Sequence, residues 1–100
     1  MNVSRALVCG VGHGGGRETA LLRATNPDLV REDRIEEARA GASERWGEWV
    51  AGVNLAHDSD EFTENGVVGD PGEGDAALGA AMLDEAAEKL SQLLEALGDR

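Results

Sequence analysis

Residues 4–25, SRALVCGVGHGGGRETALLRAT, set the fold class, because an apolar run, a glycine-rich turn and a helix-forming stretch follow one another without a break. Ser4 to Gly10 is short, apolar and closed by glycine, so it reads as a buried strand. Gly10 to Gly16 holds five glycines in seven positions, too many for a strand or helix to continue. Arg17 to Thr25 then places Leu21 and Leu22 on one side of a helix, and Asn26-Pro27-Asp28 stops it, since the residue before proline is pushed out of the helical region.

Working outward, Leu29 and Val30 read as a short extended contact or a single turn. From Asp33 to Val50 the positions Ile35, Ala38, Ala42, Trp46, Trp49 and Val50 recur at three- and four-residue steps. That spacing predicts an amphipathic helix, weakened by Gly41 and Gly47. Gly52 to Ala56 reads as a strand, His57 to Asn65 as an acidic loop, and Val67-Val68 as a minimal strand ahead of an Asp70-Pro71-Gly72 turn. The last element is the clearest. Leu78, Met82, Leu83, Ala86, Leu90, Leu93, Leu94 and Leu97 trace one stripe of a helix over about 75–97, with Asp75 to cap it and Gly98 to end it. The sum is an α/β pattern, expected as a short, mostly parallel sheet flanked by helices in a single partial domain over residues 1–100. So small a sheet has an edge to hide, which predicts a partner.

Composition bounds the rest. A chain of 100 residues with 41% hydrophobic content and three aromatics builds at most one thin core. The sequence reads as lacking both a membrane span and a signal peptide, and a single cysteine excludes an intrachain disulfide, so a cytoplasmic location is expected. Twenty acidic residues against nine basic ones give a net charge of −11, and Lys89 is the sole lysine. Such a surface repels phosphate backbones and anionic bilayers, which argues against nucleic-acid and membrane partners. Dense carboxylates also suit a salty cytoplasm, where they stay solvated and screened, so the acidity reports a halophilic-type habitat more than a function.

Several residues invite chemical readings. Gly10, Gly12 and Gly15 satisfy a dinucleotide-binding spacing after a predicted strand, where glycines would let backbone amides approach a pyrophosphate. A run of five glycines meets that pattern almost by default, and no second strand supplies a ribose-binding acid. His13 in the turn and Glu18 on the first helical turn are suitable as metal ligands or as an acid–base pair. On residue chemistry alone the stronger reading is a solvated loop histidine and a helix-start glutamate favoured by the helix dipole, since two ligands do not make a catalytic zinc site. The run around His57, Asp58, Asp60 and Glu61 lacks the spacing of a calcium loop and reads as acidic surface, as do Glu73 and Asp75, while Asp70 fixes its own turn. Cys9 reads as a small buried hydrophobe, and Trp46 and Trp49 as packing residues on a helical face.

The stretch His13-Gly14-Gly15-Gly16-Arg17-Glu18-Thr19-Ala20-Leu21-Leu22, continuing to Pro27-Asp28-Leu29-Val30, resembles a segment of the creatininase (creatinine amidohydrolase) family. That segment runs His-Ala-Gly, two variable residues, Glu-Thr, an apolar helix and a Pro-x-Leu-Val turn. Asn65-Gly66-Val67-Val68-Gly69-Asp70-Pro71 resembles the family's Gly-Val-x-Gly-Asp-Pro signature, again ahead of a helix. The resemblance implies a metal-dependent hydrolase of a cyclic amide or formamide, of α/β fold, using zinc or manganese and often assembled as a homo-oligomer. It implies Glu18 as a metal ligand and His13 as the residue assisting proton transfer. The family's other ligands lie in an N-terminal Glu-x-His, a following Asp and a central Asn-Gly-His-Gly-Gly-Asn loop, so the likeness covers the C-terminal portion of a full-length member. Two alternatives stay beside it: a non-catalytic remnant or assembly module that binds a partner chain, and more distantly a dinucleotide-binding fragment.

Overall fold

A computed structural model describes residues 12–55 and 58–100. The expected strand at Ser4–Gly10, Cys9 within it, and His57 fall outside the described residues. Helix α1, Gly16–Thr25, follows the glycine turn as the sequence implies, and a 3-10 turn over Pro27–Leu29 closes it. A second 3-10 turn, Glu32–Arg34, leads into a short helix α2, Ile35–Ala40. Strands β1, Glu48–Val50, and β2, Val53–Leu55, form an antiparallel hairpin in which Glu48 faces Leu55, Trp49 faces Asn54 and Val50 faces Val53. Ala51 and Gly52 both take positive φ, +49° and +80°, the geometry of a two-residue turn matched to strand twist. A 3-10 turn at Ser59–Glu61 precedes the final helix α3, Ala76–Gly98. Asp75 caps α3 as expected, its carboxylate accepting the Leu78 N–H at 2.8 Å.

The α/β character holds, with two corrections. The helix expected from Asp33 to Val50 stops at Ala40. Two residues after Gly41, Ser43 has its backbone drawn into pairing with the 67–69 segment, and Gly47 adopts φ +74°, outside the helical region. Beyond it Trp49 and Val50 belong to β1, so neither Trp46 nor Trp49 lies on a helical face. Trp46 instead meets Phe62 edge-on, with ring centroids 5.4 Å apart. The sheet is also not mostly parallel among the described residues. The hairpin is antiparallel, and the Val67-Val68 segment pairs through isolated bridges, antiparallel to His13 and parallel to Ser43.

Two helices make the core. Ala20 of α1 and Met82 of α3 are buried with Val68, which has no exposed surface. Their contact depends on Gly79: a Cβ there would overlap the Ala20 carbonyl, so the helices approach backbone to backbone. Thr63 is the buried polar residue among those described, and its hydroxyl is satisfied by the Val67 carbonyl at 2.8 Å. The outer half of α3 leaves this core. Leu90, Leu93, Leu94 and Leu97 are each more than half exposed. No described helix is long and apolar enough to cross a membrane.

Candidate functional site

The two segments singled out in the sequence meet through the backbone. The His13 N–H donates to the Val68 carbonyl at 3.0 Å, and the Val68 N–H returns to the His13 carbonyl at 2.8 Å. On the other edge of the same segment, Ser43 N–H donates to the Val67 carbonyl at 2.9 Å and Gly69 N–H to the Ser43 carbonyl at 2.8 Å. Val68 is thus held between His13 and Ser43, with its side chain in the core.

Glycine makes this approach possible. A Cβ on Gly15 would stand 3.1 Å from the Val68 carbonyl, and one on Gly16 would overlap the Glu73 carbonyl. Gly74, at φ +98°, passes so near α1 that a Cβ would lie 2.8 Å from the Gly16 carbonyl. Any side chain at these points would separate the 66–74 loop from the start of α1.

Glu18 sits on the first turn of α1, exposed to solvent, and its carboxylate accepts the Gly14 N–H. That contact resembles the return half of a capping box, satisfying a donor just before the helix where negative charge is favoured. Gly15, at the cap position, offers no side chain to the first-turn amides. His13 is exposed at the mouth of the same turn.

Two arginines fasten the signature turn from below, and nothing local in the sequence announced either. Arg23, mostly covered, donates to the Gly74 carbonyl at 2.7 Å and to that of Gly72 at 3.2 Å, while its other nitrogens grip Glu32. The Glu32 carboxyl is consequently held below its ordinary range, chiefly by the hydrogen bond from Arg23. Arg39 donates to Asp70 at 2.9 Å and also pairs with Glu36. Asp70 accepts the Gly72 N–H at 2.9 Å as well, which confirms it as the residue that fixes its own turn.

The Asp70 carboxyl lies below the usual aspartate range, first because of the Gly72 N–H and then because of Arg39. A lowered folded-state value means its stabilisation is present above about pH 4 and fades as pH falls through the folded value. Acid titration of the native chain, followed by circular dichroism, should therefore show a loss of stability below about pH 4 that Asp70→Asn diminishes. Identical acid profiles for the two would remove Asp70 from the account of the turn.

A cleft of about 510 Å³ opens beside Ser43, walled by Arg45, Glu48, Trp49, Glu61 and Phe62. Neither His13 nor Glu18 lines it, although Ser43 joins its wall to the Val68 junction. Among the described residues no three of His, Cys, Asp and Glu come together as a metal-binding group.

The comparison that decides the family is a model described as creatinine amidohydrolase, which matches residues 3–94. The chain belongs to the creatininase family. Family membership spans nearly the whole chain, including both signature segments and α3 as far as residue 94, and it supports an amidohydrolase type of function. No curated protein matches the chain, and no solved structure does. Gly10, Gly12 and Gly15 all fall within the stretch matched by the creatininase model.

Proposed function

We propose that this chain contributes to a creatininase-type hydrolase that breaks the C–N bond of a cyclic amide or a formamide. The backbone pairing of His13 with Val68 carries the reading. It holds the His-Gly-Gly and Gly-Val-Val-Gly-Asp-Pro segments, 55 positions apart from His13 to Val68, at one end of α1. In this reading water adds to the amide carbonyl, and the His13 imidazole takes a proton and delivers it to the departing nitrogen. The N-terminus of α1, where Gly15 brings no capping side chain, supplies partial positive charge where the carbonyl oxygen becomes anionic.

A divalent ion, zinc or manganese, belongs to the family resemblance, with Glu18 as a ligand. The described residues do not fit a complete site. His13 and Glu18 are two donors, whereas a catalytic zinc normally takes three protein ligands and a water. No step above therefore passes through a metal, and the missing donors are assigned to another polypeptide segment carrying the family's Glu-x-His, Asp and Asn-Gly-His-Gly-Gly-Asn motifs. Mixing this chain with such a segment, with Mn²⁺ or Zn²⁺ present, should give hydrolysis of creatinine or a formamide that neither partner gives alone. Equal hydrolysis by the segment without this chain would overturn the reading.

A non-catalytic assembly role is the second reading. It is favoured by the engagement of Glu18 with the Gly14 N–H, a structural use of that carboxylate, and by the uncovered outer half of α3.

A further inference from the structure

We propose that Asn65–Gly66 is a deamidation site, held back by the fold while intact, whose conversion releases the signature turn from α2. An asparagine side chain is attacked most readily by the backbone nitrogen of a following glycine, because no side chain shields that nitrogen. Gly66 follows Asn65 directly, whereas Asn2, Asn26 and Asn54 are followed by Val3, Pro27 and Leu55. Proline has no N–H to lose, and the other two carry branched side chains.

The structure leaves the attacking group open. Asn65 is exposed, so water reaches it. Gly66 has nothing within 4 Å of the place a Cβ would take. Its N–H makes no hydrogen bond among the described residues.

The chemistry needs water and no other reactant. The Gly66 nitrogen bonds to the Asn65 Cγ and gives up its proton, while the Cγ–Nδ2 bond breaks and ammonia leaves. Water then opens the cyclic imide. Attack at the Cγ carbonyl yields aspartate, and attack at the Asn65 backbone carbonyl yields isoaspartate.

Two hydrogen bonds oppose the first step. Asn65 Nδ2 donates to the Ala38 carbonyl at 2.8 Å, and Oδ1 accepts the Val67 N–H at 3.0 Å. The amide also rests against Gly41, where a Cβ would stand 2.9 Å from Nδ2. Ring closure requires the side chain to turn toward the Gly66 nitrogen, and these contacts fix it in its present rotamer. Each hydrogen bond that must open first slows the reaction about fivefold, so the folded chain should be protected about tenfold or more.

The same bonds define what conversion does. Ala38 lies in the last turn of α2, and its carbonyl is one that the helix itself leaves unpaired. Aspartate at position 65 has no N–H to offer it and sets a carboxylate against a carbonyl. Isoaspartate also inserts a methylene group into the main chain just ahead of Val67 and Val68, which pair with Ser43 and His13. Either product adds a negative charge and loosens that pairing.

The test incubates the full chain, native and unfolded in guanidinium chloride, in mildly alkaline buffer. Mass spectrometry then follows the tryptic peptide of residues 46–89, which carries Asn54 and Asn65 together, for the gain of about 1 Da that deamidation brings. The expected result is conversion at Asn65 well ahead of Asn54, to both aspartate and isoaspartate, and about tenfold or more slower in the native chain. Equal rates in native and unfolded chains, or an unfolded chain in which Asn65 reacts no faster than Asn54, would overturn the proposal. Ion exchange separates the converted chain by its added charge. Hydrogen exchange at the Ser43, Val68 and Gly69 amides should be about tenfold or more faster in that fraction, and unchanged exchange would overturn the release of the turn.

Discussion

Gly79→Ala is expected to destabilise the chain by about 2 kcal/mol or more, although the same change in an ordinary helix interior stabilises by about 1 kcal/mol. The sign reverses because a Cβ at this position would overlap the Ala20 carbonyl and crowd the Leu21 amide. Those atoms are backbone of α1, so no rotamer change can give way. Relief requires α1 and α3 to separate, and with them Ala20 and Met82, which supply much of the buried apolar surface. Nor is the effect buffered elsewhere, since the rest of the described core is little more than Val68 and its pairing partners. Gly98→Ala provides the control, because nothing lies within 4 Å of a Cβ there. Urea denaturation should show a much lower midpoint for Gly79→Ala and a near-native one for Gly98→Ala. A Gly79→Ala chain as stable as the native one would mean that α1 and α3 do not pack backbone to backbone.

His13→Ala is expected to lower amide hydrolysis by about 10² to 10⁴-fold in the mixture with the complementing segment, the range that removal of a general acid–base group produces. The folded chain should survive the change. Both hydrogen bonds between His13 and Val68 are made by backbone atoms, and the His13 side chain is exposed, so alanine keeps the pairing. Thermal unfolding within about 0.5 kcal/mol of native, beside a large loss of rate, is the pattern of a residue that moves a proton. Loss of both together would make His13 a folding residue. Unchanged hydrolysis would remove it from the mechanism.

The elements that could be read from sequence were those whose local chemistry agreed with their tertiary setting. The α1 segment has helix formers, an acidic first turn and an Asn-Pro stop, and it forms where expected. The same holds for α3, where Asp75 and the leucine spacing specify start and face. The 33–50 stretch misled because its three- and four-residue recurrence mixes two causes. Ile35 and Ala38 belong to α2, whereas Trp46, Trp49 and Val50 follow Gly47 into an aromatic contact and a hairpin. Periodicity carries no information about a chain reversal that Ser43 makes by pairing with residues 24 or more positions away.

The same reason hid the supports of the site. His13 and Glu18 announce themselves through their motif, but Arg23 and Arg39 look like ordinary helix-surface cations. Their partners, the Gly72 and Gly74 carbonyls and Asp70, are 49, 51 and 31 positions away along the chain. Only the tertiary approach of the Asp-Pro-Gly turn to the two helices gives them a role. The glycine run was legible as a turn, while its deeper requirement, room for Val68 and Glu73, depends on a segment more than fifty residues later.

The most direct test of the central claim is metal stoichiometry, by elemental analysis, on this chain mixed with the complementing segment, loaded with Zn²⁺ or Mn²⁺ at high KCl and desalted. The account predicts about one ion or more per chain in the native mixture and at least one fewer with Glu18→Gln, with this chain alone retaining well below one. Equal retention by the native and Glu18→Gln mixtures, or none in either, would contradict Glu18 as a metal ligand and, with it, the reading of this chain as part of a creatininase-type metal site.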